Sequence, residues 1–275
     1  MRKISNSLHF IFVYAVTLFL LLVVVSPVIV VVLGSFLNTS WLGLSSEQWV
    51  DRGQGIVTFQ WFRYVFDLYG ENIVFSLKLA VLSVIVCLLV GVPGGYILAQ
   101  RPFPGSRVVE ELILLPLSVP GIAMSIALIQ AYTVFRGEWG LILCGHLLYT
   151  IPFMVRAVTN TLRSFRVGDL ELAAQSLGAN FFQRLFLVIL PNLKHAMIVG
   201  SLLVFAISWG EFNVSFLLNT PLNQTFPAGL YATYVSNSFQ VSSAATTLFL
   251  AMIVPILIAI QWIGGGELIK VEQGA

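Results

Sequence analysis

Charge is what this sequence has least of. Asp, Glu, Lys and Arg make up 9% of its 275 residues, against about 25% in an ordinary soluble domain. Hydrophobic residues make up 58%, more than a water-soluble fold of this length can hide. A bilayer removes the difficulty, because lipid-facing positions must be apolar as well. The net charge of +2 excludes the basic footprint of a nucleic-acid binder. Only two cysteines occur. Cys87 and Cys144 both lie in apolar stretches and read as buried, inert thiols, not as a disulfide. His9, His146 and His195 share no spacing with acidic residues or cysteines that suggests a metal. A Gly-x-Ser-x-Gly elbow is missing, and so is a Gly-x-x-x-x-Gly-Lys-Ser/Thr phosphate loop. Neither an intramembrane hydrolase nor a nucleotide site within this chain is therefore expected.

What is present is a series of long apolar runs. A membrane span needs about 20 of them in sequence, and six stretches qualify: 10–34, 74–99, 109–135, 139–163, 194–218 and 243–265. The first follows Arg2 and Lys3, as a signal sequence would, but it is too long for a signal core and reads as an uncleaved span. Lys and Arg placement sets the orientation. With the N-terminus inside, Arg2, Lys3, Arg101, Arg107, Arg156, Arg163, Arg166, Arg184, Lys194 and Lys270 fall on the cytoplasmic side. Arg52, Arg63, Lys78 and Arg136 fall outside, and the last outer loop, 219–242, has no charge. Both termini are expected in the cytoplasm. The long outer loop, 35–73, carries Trp41, Trp49, Phe59, Trp61 and Phe62. It reads either as an interfacial aromatic belt or as a docking surface for an external partner. No internal repeat, low-complexity run or second soluble domain is visible.

The inner loop, 164–193, holds the most specific pattern. Leu170, Ala173, Ala174 and Leu177 fall at i, i+3, i+4 and i+7, one face of a short helix. Glu171 and Gln175 are expected to point elsewhere. Asp169 is placed to cap the start after Gly168. Gly178 stands where a left-handed residue would end the helix. Asn180 is placed to cap a second helix, and Pro191 to break the pattern before the fifth span. Small alanines on an apolar face suit a groove on another protein. An interfacial helix lying on the membrane fits the spacing equally well.

This loop resembles the signature of permeases in binding-protein-dependent ATP-driven importers: Glu-Ala-Ala, three residues, Gly, nine residues, Ile, one residue, Leu-Pro. Ala173, Ala174, Gly178, Val188, Leu190 and Pro191 stand at those spacings. Leu172 replaces the family's Glu, and Glu171 lies one step, about 100°, around the helix. The resemblance extends over about 70–275. Pro116 to Pro120 and Phe212 to Thr220, followed by Pro221, resemble the polyamine and phosphonate branch in particular. The implied fold is all-α: six transmembrane helices with a cytoplasmic coupling helix, as in type I importers. One permease domain would span 1–275, with a core of about 70–265. The implied coupling residues are Glu171, Leu172, Ala173, Ala174, Gly178, Leu190 and Pro191, docked on a separate cytoplasmic ATP-binding subunit present in two copies. ATP and Mg would be bound there and not by this chain, which would have no catalytic residues. A second, different permease and an external solute-binding protein are the other implied partners, in a bacterial inner membrane. The leading substrate is a polyamine, with phosphonate, iron, thiamine or an oxyanion as alternatives.

Glu211 is the one acidic residue within the core of a predicted span. An ionisable group there costs about 2.5–3.5 kcal/mol on insertion scales, so it should face a cavity or a partner. Ser208, Trp209 and Asn213 lie within a turn of it on a continuous helix and join it as candidate pathway residues; packing against neighbouring helices is the other reading. Pro116, Pro120 and Gly121 break a predicted helix, so a kink or unwound turn is expected there, either a gate or a packing bend. Arg156 reads as snorkelling to headgroups. An ion-coupled secondary transporter is the competing class, but it would call for repeats and several embedded charges.

Overall fold

The computed structural model describes residues 2–37, 57–100, 103–236 and 238–273, with side chains between 12 and 263. Trp41, Trp49, Arg52 and Arg101 therefore lie outside the described residues. The elements are all helical: α1 Arg2–Gly34, α2 Gln60–Gln100, α3 Ser106–Leu114, α4 Gly121–Ala131, α5 Trp139–Ser164, α6 Val167–Ser176, α7 Phe181–Arg184, α8 Leu190–Gly210, α9 Asn213–Leu218, α10 Phe226–Ser236 and α11 Phe239–Gln273. Among the described residues, five helices are long and apolar enough to cross a membrane. A bent pair, Ser106–Ser118 with Gly121–Ala131, brings the number to six when its two halves are counted as one broken span.

The chain divides into two compact units. The smaller comprises residues 1–70 and 230–251. In it, Trp61 is buried and donates its indole N–H to the Leu37 carbonyl at 3.0 Å. Trp61 is thus not part of an interfacial belt. Phe36 packs on Phe59 and Phe62 with ring centroids 5.4 and 5.1 Å apart. The apolar side chains of α1 between Phe12 and Leu33 are almost all exposed, as lipid-facing residues are.

The larger unit, 71–229 with 252–275, contains the chemistry. One core joins Cys87 and Val92 of α2, Met154, Val158 and Leu162 of α5, and Leu193, Ala196 and Val204 of α8. Glycines let these helices approach. A Cβ on Gly91 would lie 2.7 Å from Met154, one on Gly95 would lie 2.9 Å from Val158, and one on Gly200 would lie 2.9 Å from the Met154 sulfur. Small residues serve this purpose in lipid, where packing and not water exclusion drives association. A second core gathers Leu79, Leu128, Leu141, Ile142, Val214 and Leu218.

The third span breaks at the turn that Pro116, Pro120 and Gly121 lead one to expect, and its halves meet at 105°. Pro116 and Pro120 remove two N–H donors, and Val119, preceding a proline, is extended at φ −92°, ψ 127°. The Tyr149 hydroxyl donates to the freed Val119 carbonyl at 2.9 Å. The fifth span stops at Gly210 and restarts as α9. The stretch 219–242, read as a loop, contains α10.

Gly95→Val should therefore overpack α2 against α5 and cost about 1–3 kcal/mol. Gly70→Ala, where an added Cβ meets nothing within 4 Å, should be neutral or slightly stabilising. Thermal unfolding of the two detergent-solubilised variants checks the contrast.

Candidate functional site: a surface elbow and a broken-helix cavity

The inner loop folds as a helix-turn-helix elbow. Arg166 opens α6 in the left-handed region, at φ 50°. Asp169 sits inside the first turn and makes no capping bond; it pairs instead with Arg166 at 3.3 Å on the surface. The cap expected of Asp169 is absent because the helix starts three residues earlier, with Arg166 at the N-cap position and Asp169 already in the first turn. The far end follows the sequence pattern. Gly178 takes φ 86°, its N–H bonds the Gln175 carbonyl at 2.9 Å, and Ala179 N–H bonds the Ala174 carbonyl at 3.0 Å. These two bonds make a Schellman cap. Asn180 and Gln183 then form a reciprocal capping box on α7.

Pro191 does not break the helix. Leu185–Ile189 widens into a π-turn ahead of it, and the neighbouring Asn192 amide donates to the Val188 carbonyl at 2.7 Å. Phe181 to Gly210 is thus one 30-residue rod, about 45 Å long. Leu190 is half-buried along it and Pro191 is exposed.

The two faces of the elbow differ in chemistry. Leu170, Leu172, Ala173 and Leu177 are exposed, Leu172 to 63% and Leu177 to 89%. Ala174 is partly covered, and Gly178 is open. Glu171 faces inward at 6% exposure. The Tyr96 hydroxyl of α2 lies 3.0 and 2.9 Å from its two carboxylate oxygens. The Arg184 Nε of α7 lies 3.4 Å from Oε1. The acidic side chain nearest the family's Glu position thus points into the chain's own body, and Leu172 occupies the outer surface. Tyr96 and Arg184 carry no local signal; only the fold brings them to position 171.

The second feature is the break after α8. Glu211 is extended at φ −70°, ψ 112°, and its Oε1 accepts the Val214 N–H at 2.7 Å. A carboxylate at the start of α9 satisfies an orphan donor and suits the helix dipole. Gly210 and Glu211 therefore end the helix that would have to be continuous for Ser208, Trp209 and Asn213 to lie within a turn of Glu211. Glu211 and Asn213 line a cavity of about 290 Å³ with Leu117, Gly121, Tyr149, Phe153 and Ile207. Gly121 is required there, since its Cβ would lie 2.6 Å from that of Asn213.

Ser208 and Trp209 lie elsewhere, both buried. Trp209 stacks on Phe205 with centroids 6.4 Å apart and packs on Phe226 at 6.0 Å. Ser208 belongs to a polar cluster that sequence reasoning missed. His146 places Nδ1 2.8 Å from the Ser208 hydroxyl and Nε2 2.9 Å from the Ser215 hydroxyl. Ser208 also bonds Ser83 at 3.2 Å. One imidazole thus joins α5, α8 and α9, and through Ser208 it reaches α2. His146 lacked any partner nearby in sequence, which is why it looked isolated. Among the described residues no group of three His, Cys, Asp or Glu could hold a metal ion.

These features agree with what the chain is similar to. A family model described as the binding-protein-dependent transport system inner membrane component matches residues 91–265. The chain is 30% identical over 237 residues to the spermidine/putrescine transport system permease protein PotC of Escherichia coli (strain K12), covering 84% of this chain and 86% of that protein. It is 28% identical over 183 residues to the molybdenum transport system permease protein ModB of the same organism, covering 60% and 80% respectively. Among solved structures, it matches a bacterial ABC transporter involved in the import of the acidic polysaccharide alginate with a TM-score of 0.72, at 18% identity over 94% of this chain and 96% of that one. It matches the MetNI methionine ABC transporter with a TM-score of 0.62, at 19% identity over 73% and 96%. The structural likenesses carry the fold, and the sequence match spans both the elbow and the cavity. The chain therefore belongs to the inner-membrane components of binding-protein-dependent transport systems and is a permease subunit of an ABC importer.

Proposed function

We propose that this permease moves a small cationic solute, a polyamine, from an external binding protein across a bacterial inner membrane, with both termini in the cytoplasm. The elbow docks on a separate ATP-binding subunit, two copies of which bind ATP and Mg. A second permease chain completes the pathway. The observation that carries the docking role is the exposed apolar surface of Leu170, Leu172, Ala173 and Leu177 on a helix fixed at both ends. A short isolated helix is marginal in water, but this one is held from behind by Glu171, and an apolar face this exposed calls for a covering partner. ATP binding would draw the two ATPase subunits together and shift the permease population between inward-open and outward-open states.

The cavity beside the α8 break supports a cationic substrate. Among the described residues that line it, Glu211 is the only charged one, and Tyr149 and Phe153 supply aromatic rings. A carboxylate with aromatic faces suits an ammonium group; an oxyanion would call for Lys, Arg or backbone N–H donors. The likeness to PotC agrees, whereas the likeness to ModB favours an oxyanion as the second reading. Phosphonate, iron and thiamine are further substrate classes for this branch.

Three outcomes are expected. Gly178→Val places a β-branched residue at φ 86°, and about 1–2 kcal/mol of strain should cut ATP-driven uptake about tenfold while leaving membrane insertion intact. Normal uptake in that variant contradicts the docking role. Glu211→Gln keeps an acceptor for Val214 N–H but removes the charge. Uptake of radiolabelled putrescine should weaken about tenfold in apparent affinity; unchanged uptake means that Glu211 serves only as a cap. Putrescine at 100 times its Kd should raise the melting temperature of the cognate binding protein, equivalent to about 2.7 kcal/mol. A shift with molybdate and none with putrescine selects the oxyanion reading.

A further inference from the structure

Glu171 stands one residue from the family's docking acid, yet its carboxylate is turned away from the surface. Its partners come from two different rods. Tyr96 lies near the C-terminal end of α2, and its hydroxyl reaches both carboxylate oxygens at 3.0 and 2.9 Å. Arg184 ends α7, at the base of the rod that runs to Gly210, and its guanidinium pairs with Glu171 at 3.4 Å while also donating to the Ala179 carbonyl at 3.3 Å. The Glu171 and Arg184 side chains are 8% and 12% exposed. A buried charge pair resists separation, because parting it leaves each charge uncompensated in a poor solvent. Val167, one turn before Glu171, is buried in the same core as Ile189 and Leu193.

We infer that Glu171, Tyr96 and Arg184 form an internal strut that passes displacement of the docking helix into α2 and the α7–α8 rod, and that Glu171 is a positioning residue and not the contact to the ATPase. The inference rests on the docking role proposed above. The geometry gives it a consequence. The α7–α8 rod begins at the strut and ends at Gly210, beside Glu211 and Asn213 of the cavity. A shift at the elbow therefore reaches the cavity through about 45 Å of continuous helix. Exposed Leu172 and Leu177 hold the partner; the buried triad makes the elbow move as one body with the rods.

The test uses the complex purified with its ATP-binding subunit and second permease in nanodiscs. Phe153→Cys, in a Cys87→Ser and Cys144→Ser background, reports access to the cavity by its labelling rate with a small maleimide, with and without ATP and vanadate. Tyr96→Phe deletes one hydroxyl. It should leave the ATP-binding subunit bound and shrink the nucleotide-dependent change in labelling about tenfold, the order of a lost bond to a charged group. Arg184→Lys should restore part of what Arg184→Ala loses, and Tyr96→Phe with Arg184→Lys should be less than additive. A labelling change of wild-type size in both Tyr96→Phe and Glu171→Gln overturns the strut. Release of the ATP-binding subunit by Glu171→Gln, with Tyr96→Phe normal, also overturns it by making Glu171 a direct contact. Leu172→Asp separates the two claims: if the ATP-binding subunit stays bound to that variant with uptake unchanged, the docking surface itself is wrong.

Discussion

Hydrocarbon offers no hydrogen bonds, so every backbone group freed inside the membrane needs a partner within the protein. The larger unit is organised by this constraint. Two prolines and a helix end release backbone groups near the cavity, and Tyr149 and Glu211 answer with one hydroxyl and one carboxylate. The same residues line the cavity. Structural repair and cavity lining thus fall to one set of side chains. An acidic residue can persist in this span because it completes a helix end.

The polar groups away from the cavity follow the same logic. His146, buried among apolar helices, has a hydroxyl at each ring nitrogen. Ser83, Ser208 and Ser215 complete a cluster that fixes the relative rotation of the helices carrying them. Glycines 91, 95 and 200 then allow the close approach on which that registration depends. An apolar face by itself tolerates sliding; a shared imidazole does not.

Much of this was legible in residue order. Apolar runs mark spans because the bilayer has a fixed thickness. Gly178 and Asn180 mark the end of one helix and the start of the next because both act through local backbone bonds. Local rules failed wherever the partner is distant. Tyr96 lies 75 residues from Glu171, and nothing near either residue announces the contact. Pro116 and Pro120 predict a kink or unwound turn, but residue order alone does not give its 105° angle. Pro191 was read as a breaker because a missing donor usually ends a helix; the π-turn before it absorbed the defect. Ser208 and Trp209 were placed beside Glu211 on the premise of an unbroken helix, which the Gly210–Glu211 break removes.

On the docking role proposed for it, the helix held from behind by a buried carboxylate, with leucines outward, presents its exposed tip to the cytoplasm. The decisive measurement is labelling of Leu177→Cys, on a Cys87→Ser and Cys144→Ser background, with a membrane-impermeant maleimide in intact cells and in inverted vesicles. The account predicts labelling only in inverted vesicles, and protection there when the ATP-binding subunit is added back to stripped membranes. Labelling of intact cells from outside would contradict it.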